Sequence, residues 1–389
     1  MRAYLDNGST TPVAKEVVDA MLPYFTENFG HPIFLYTLGQ TAADAVERSQ
    51  KAIAGTINAS PVEITFTSGA TEANDIAIRG VAYANRGRGR HIITTKIENP
   101  SVLRVCESLE REGFKVDYIS VDGQGFLNVD ELEEKLTDET ILVSVANVND
   151  EIGTVEPVEE IGKILREREG KVYFHVNAAA AYGRVPMDVR RIGADLVSLS
   201  AHKIHGPKGV GAIYVAEGTS IEPVSHGYTS LFKLKPGTED VPGIVGFAKA
   251  AEMAFDGFGR HVAHMRKLRD KLISGLERVP YSVINGPRGD ERSPANVNCS
   301  FKGLEGESML LHLDLHGISV ATGSACATTK LEPSHVLTAI GLKPEVSHGA
   351  IRFTLSRYNT DEEIDYTLEV VPKVVERLRK MSPVKPEEM

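Results

Sequence analysis

Between residues 63 and 215, short apolar runs alternate with stretches of helical spacing, and no other feature restricts the fold as strongly. Glu63-Ile-Thr-Phe-Thr, His91-Ile-Ile-Thr-Thr, Val116-Asp-Tyr-Ile-Ser-Val, Thr140-Ile-Leu-Val-Ser-Val and Val172-Tyr-Phe-His-Val read as strands. Ala194-Asp-Leu-Val-Ser-Leu and the run 211–215 complete the set. Residues 101–112 and 158–168 have helical periodicity. Apolar strands separated by amphipathic helices predict an α/β fold with a mostly parallel sheet covered on both faces. Ligands in such sheets bind beyond the carboxyl ends of the strands. Asn99, Asp150, Asn177 and Lys203 all follow strands in this reading, which places them in one cleft.

Ser200-Ala-His202-Lys203 is a polar loop between two of these strands, and its tail, Gly206-Pro-Lys-Gly, forbids helix. A lysine held there presents its amine to a cavity, as an enzyme requires when it forms an imine with an aldehyde cofactor. Taken alone it also reads as a solvent-facing turn lysine, since most lysines are exposed. Ser68-Gly-Ala-Thr-Glu-Ala-Asn follows a strand and opens a helix. Its small residues leave backbone N–H groups free for an anion at the positive helix end.

Beyond residue 215 the pattern changes. A loop-rich segment from 226 to 243 leads to a long helical stretch over 244–276. A smaller α/β unit follows, with strands near 296–301, 318–320 and 351–355 and helices over 307–315 and 361–381. Near the start, a helix is expected over 14–25 and a turn at Gly30-His-Pro. A chain of 389 residues favours two subdomains. We expect a large domain over 1–256, with its first residues able to pack with the second, and a small one over 257–389.

The net charge of -10 argues against nucleic acid as the main partner. Three cysteines, Cys106, Cys299 and Cys326, suggest neither a disulfide framework nor a metal site. No run reaches membrane-span length and no apolar signal core opens the chain, so a cytoplasmic protein is expected. Cys106 and Cys299 sit among apolar neighbours and read as inert packing. Cys326, in Thr322-Gly-Ser-Ala-Cys-Ala-Thr, sits among small residues where a thiolate could react.

Ser-x-His-Lys-x-x-Gly-Pro-Lys-Gly resembles the lysine loop of the cysteine desulfurases, class V relatives of the pyridoxal-phosphate aminotransferases. The turn at 68–74, the Cys326 loop, Leu331-Glu-Pro-Ser-His-Val-Leu and Ser347-His-Gly-Ala-Ile-Arg352-Phe-Thr-Leu extend the likeness over nearly the whole chain. It implies the type I fold of pyridoxal-phosphate transferases and pyridoxal phosphate carried on Lys203. Ala70, Thr71, Ser200 and His202 would hold the cofactor, and Thr238 would reach the phosphate of the neighbouring subunit in a homodimer. Arg352 would grip the carboxylate of L-cysteine or a related amino acid. Cys326 would take its sulfur as a persulfide for an iron–sulfur scaffold or another acceptor.

The departures fall at the family's working positions. Asn99 stands for a histidine that stacks on the cofactor ring, Asp150 for asparagine, Asn177 for the aspartate at the ring nitrogen, and Ala180 for glutamine. Lys235 replaces an arginine. Ile33-Phe-Leu-Tyr36 replaces Ser-Ser-x-His at the cleft entrance, which predicts a greasier, narrower mouth. Asn177 supplies no charge and should leave the ring mostly neutral, a weaker electron sink. Asp150 adds negative charge where the substrate carboxylate docks. Three readings follow: a cysteine desulfurase, a diverged pyridoxal-phosphate enzyme acting on another amino acid, or a weakly active or inactive scaffold relative. The first is adopted because both covalent residues are present.

Overall fold

The computed structural model describes residues 1–228, 230–323, 333–383 and 385–388; Cys326 lies outside the described residues. Among them the strands are β1 (Ala3–Tyr4), β2 (Ile64–Thr67), β3 (His91–Thr95), β4 (Lys115–Ile119), β5 (Thr140–Ala146), β6 (Tyr173–Asn177) and β7 (Leu196–Ser200). They continue with β8 (Gly211–Val215), β9 (Ser282–Asn285), β10 (Asn296–Phe301), β11 (Ile318–Ser319), β12 (Ala321–Thr322) and β13 (Ala350–Thr354).

The main sheet has the order β2-β8-β7-β6-β5-β3-β4. β7, β6, β5, β3 and β4 run parallel, and β8 lies antiparallel between β7 and β2. Its strands alternate between two cores, because successive side chains of a strand point to opposite faces. Ile93, Val143, Phe174 and Val197 pack with Val46 and Ile53 of the helix Thr37–Thr56 and Phe247 of the helix Val241–Phe255. Their neighbours Ile92, Leu142, Tyr173 and Leu196 pack instead with Ile76 and Val81 of the helix Ala70–Asn85. Every residue of β5 is buried, as a central strand covered on both faces requires.

A second, antiparallel sheet has the order β12-β13-β10-β9 and a core of its own. Met265, Leu268 and Leu272 from the helix Phe258–Leu276 and Val371 and Val375 from the helix Asp361–Arg379 cover it. β1 pairs in parallel with β11, which ties the start of the chain to this unit.

Three expectations change. The helix expected over 14–25 is two short ones, Lys15–Met21 and Pro23–Thr26, because Pro23 cannot continue the first hydrogen-bond ladder. The long stretch over 244–276 is two helices separated at Gly257, whose φ of 75° suits glycine. The 20-residue helix Thr37–Thr56 has no counterpart in the sequence reading. Its buried face is built largely from Ala42, Ala45, Val46 and Ser49, which carry little hydrophobic signal.

Candidate active site

The sheet delivers its polar side chains to one place. Asn99 follows β3, Asp150 follows β5, Asn177 ends β6, and Ser200 ends β7, three residues before Lys203. With Ala70, Thr71 and His202 they line a cavity of about 510 Å³ at the carboxyl ends of these strands. Ala180 is also in its wall.

The lysine loop is clamped from two sides. Thr11 Oγ1 donates to the His202 carbonyl at 2.8 Å and accepts from the His205 backbone N–H at 2.9 Å. Arg184, buried and not anticipated from sequence, donates to the carbonyls of Asn7 (3.0 Å), Lys203 (3.2 Å) and Ala180 (3.3 Å). Nothing in the sequence around Arg184 marks it, since its partners are carbonyls brought together only by folding. Burial pushes the Lys203 amine down to about 8, with Arg184 and Arg352 adding to the fall and Asp150 opposing it. Burial likewise pushes His202 down to about 4, so it is neutral beside the amine.

The helix Ala70–Asn85 points its first turn at the cavity, and no side chain among the described residues caps that turn. The N–H groups of a first helical turn have no intrahelical acceptor. Gly69, at φ 145°, has open space where a side chain would sit. A Cβ on Gly211 would come within 2.7 Å of the Gly69 Cα, so glycine is required beneath the turn. Ser200 Oγ, in the same cavity, is buried with no partner among the described residues. An orphaned hydroxyl beside free helix N–H groups fits a phosphate, and an amine held near neutral fits an aldehyde. This donor set accommodates pyridoxal phosphate.

Around the mouth, Asn99 caps the helix Pro100–Arg111, its Oδ1 accepting from Ser101 N at 3.0 Å and Ser101 Oγ at 2.8 Å. Its Nδ2 donates to Asp150 Oδ2 at 3.1 Å. Arg352 Nη1 donates to the Asp150 carbonyl at 3.2 Å and lies 4.0 Å from Oδ2. Nη2 donates to Ser9 Oγ at 2.8 Å and to Asp6 Oδ1 at 3.4 Å. Burial pushes the Asp150 carboxyl up, but Lys203, Arg352 and the Asn99 amide outweigh it, and the net direction is down. Asp150 is therefore an anion beside the cavity amine.

One expected site residue, Arg352, is not in the cavity wall: it lies behind Asp150 with Nη1 and Nη2 engaged. Thr238, expected to serve the neighbouring subunit, lies outside the lining of this chain's own cavity. The mouth is not narrowed by Ile33, Phe34, Leu35 and Tyr36. None of them lines it, and all are exposed on the surface. Cys106 and Cys299 are buried, and burial pushes both thiols up to about 12, which makes them unreactive.

The aminotransferase class-V family model matches residues 3–367, and the chain belongs to that family, whose members depend on pyridoxal phosphate. Within it, the chain is similar to proteins named cysteine desulfurase IscS. That of Methanosarcina thermophila is 49% identical over 385 residues, covering 99% of this chain and 95% of the relative. That of Dictyoglomus turgidum is 46% identical and covers 99% of this chain and 97% of its own length. Among solved structures, a NifS-like protein superimposes with a TM-score of 0.91 at 37% identity, covering 97% of this chain and all of that one. SspA in complex with cysteine gives 0.79 at 31% identity, covering 92% and 100%.

Proposed function

We propose that this chain is a pyridoxal-phosphate-dependent cysteine desulfurase that releases alanine from L-cysteine and leaves the sulfur on Cys326. The observation that carries the reading is Lys203: an amine brought to about 8, in a cavity it shares with a phosphate cradle and an unpartnered serine hydroxyl. The cofactor, when bound, supplies an electron sink for the carbon that bears the amino group. Lys203 holds the cofactor and then, as a free amine, moves the proton from Cα. Arg352, held behind Asp150, turns from its contacts with Ser9 and Asp6 to orient the substrate carboxylate. The Cys326 thiolate attacks the substrate sulfur, so the C–S bond breaks and an S–S bond forms, giving alanine and a persulfide. Full-length similarity to proteins named cysteine desulfurase supports the substrate.

In this reading, residues 1–256 form the cofactor domain and residues 257–389 bring Cys326 to it. The persulfide sulfur passes to an iron–sulfur scaffold or another acceptor protein. Three cysteines without disulfide-like spacing fit a reducing cytoplasm.

Two outcomes test the cofactor assignment. After reconstitution and borohydride reduction, mass mapping should place the adduct on Lys203. Only the uncharged amine attacks the aldehyde, so the rate of capture by the apoprotein should rise about tenfold per pH unit below about 8 and level off above it. A rate still climbing at the ordinary lysine value of 10.5 would contradict an amine tuned by burial.

A homodimer completes the site by supplying Thr238 from the neighbouring subunit. Exposed Phe25, Phe29, Phe34, Leu35 and Tyr36, with the Phe34 and Tyr36 rings stacked, support it, since large apolar side chains exposed in such number within one short stretch are normally covered. Light scattering should give twice the 42.3 kDa chain mass, and a monomer with cofactor bound would refute the arrangement.

A further inference from the structure

Glu98 lies beneath the cavity floor, after β3, and is fully buried. Its Oε2 accepts from the backbone N–H of Asn99 at 2.8 Å and from Asn177 Nδ2 at 3.4 Å, while Oε1 has no hydrogen-bond partner among the described residues. The other end of the Asn177 amide is also fixed, because Oδ1 accepts from the Ala179 N–H at 3.3 Å. Turning the amide over would set Nδ2 against that N–H and Oδ1 against the acceptor oxygen of Glu98. Both contacts therefore select one orientation, with Oδ1 on the side of Ala179, which lines the cavity. Asn177 offers the cavity an acceptor, and a carboxyl group stands one hydrogen bond behind it.

An acceptor at that position favours a partner carrying a proton. We propose that Glu98, acting through Asn177, holds the pyridine nitrogen of bound pyridoxal phosphate in its protonated form. The inference rests on the cofactor assignment above and identifies Glu98 as a positioning residue for the cofactor ring. The missing aspartate charge is then displaced rather than lost. The proton resides on the ring nitrogen, the negative charge on Glu98, and the Asn177 amide lies between them. Burial pushes Glu98 up to about 8 even though the Asn99 N–H and the Asn177 amide pull against it, so the negative charge on Glu98 depends on the further lowering that a cation beyond Asn177 supplies. Asp150, Glu156 and Cys106 are the titratable neighbours that act on it, and His335 Nε2 meets its backbone carbonyl at 2.9 Å. This reverses the neutral ring expected from Asn177 alone.

The test is the nitrogen NMR signal of holoenzyme reconstituted with ring-15N pyridoxal phosphate, followed through pH. The starting protein should show the protonated position at pH 7. Glu98→Gln keeps the size and hydrogen bonding of the side chain but removes its charge, and should lower the ring nitrogen's pKa by at least one unit, a tenfold shift in its protonation equilibrium. The double variant Glu98→Gln/Asn177→Asp should return the protonated signal, which separates loss of charge from damage to the cavity. A neutral nitrogen in the starting protein, accepting from the second Nδ2 hydrogen, overturns the inference, and this outcome requires no variant to fold. An unmoved signal in Glu98→Gln overturns it as well. Absence of the Lys203 adduct in the starting protein would overturn the cofactor assignment too, whereas an intact adduct with an unmoved nitrogen signal overturns this inference alone.

Discussion

Lys203→Ala is expected to abolish the borohydride-stable adduct and to cut alanine release from cysteine by about a thousandfold or more. The lysine has two tasks in the account, covalent anchor and carrier of the Cα proton. A positioned proton-transfer group alone contributes on the order of 10²–10⁴ in rate. The cradle around Ala70, Thr71 and Ser200 is untouched by the substitution, so pyridoxal phosphate should still bind, but reversibly and removable by gel filtration. Mass mapping and an alanine assay on the same preparation check both parts. Retention of a covalent adduct in Lys203→Ala would mean that another amine, with Lys208 the candidate in the cavity wall, is the true anchor.

Asp150→Asn should make the enzyme better with cysteine. The carboxylate lies 4.0 Å from the Arg352 guanidinium and draws on the cation that would otherwise meet the substrate carboxylate. Two like charges about 4 Å apart repel by about 1 kcal/mol in water and about 4 kcal/mol at an effective dielectric of 20. Relief of even the smaller part of that range, about 1.4 kcal/mol, lowers KM for L-cysteine about tenfold. A second effect works through Lys203. Asp150 raises the affinity of the amine for its proton, so removing it should move the capture profile to lower pH. Steady-state kinetics and the capture profile read the two effects separately. A higher KM in Asp150→Asn would show instead that the carboxylate binds a donor on the substrate, which would favour an amino acid other than cysteine.

The parts of this site that were readable in the sequence are those whose chemistry depends on local backbone. The Lys203 loop is defined by flanking strands and by Gly206 and Pro207, and the 68–74 turn by small residues at a strand-to-helix junction. Both lie where the sequence places them. What depends on long-range packing was not readable. Arg352 matches a substrate-binding position, yet its place behind Asp150 follows from β13 pairing with β10 and from contacts to Asp6 and Ser9 at the far end of the chain. Glu98 adjoins Asn99 in sequence, but strand exit geometry sends one side chain to the cavity and the other beneath it. Arg184 is bound by carbonyls, which have no sequence signature. Helix Thr37–Thr56 buries alanines where a stronger apolar stripe would have been noticed. Residues 33–36 were placed at the mouth by likeness alone, and in this chain they form exposed apolar surface.

In the proposed reaction sulfur leaves cysteine and arrives on one particular thiol. Holoenzyme should be incubated with L-cysteine, quenched by alkylation, and the three cysteines mapped by mass spectrometry alongside an alanine assay. Alanine should appear together with one extra sulfur on Cys326, and none on Cys106 or Cys299, whose thiols are buried. An enzyme that carries pyridoxal phosphate on Lys203 but yields neither alanine nor added sulfur on Cys326 would contradict it.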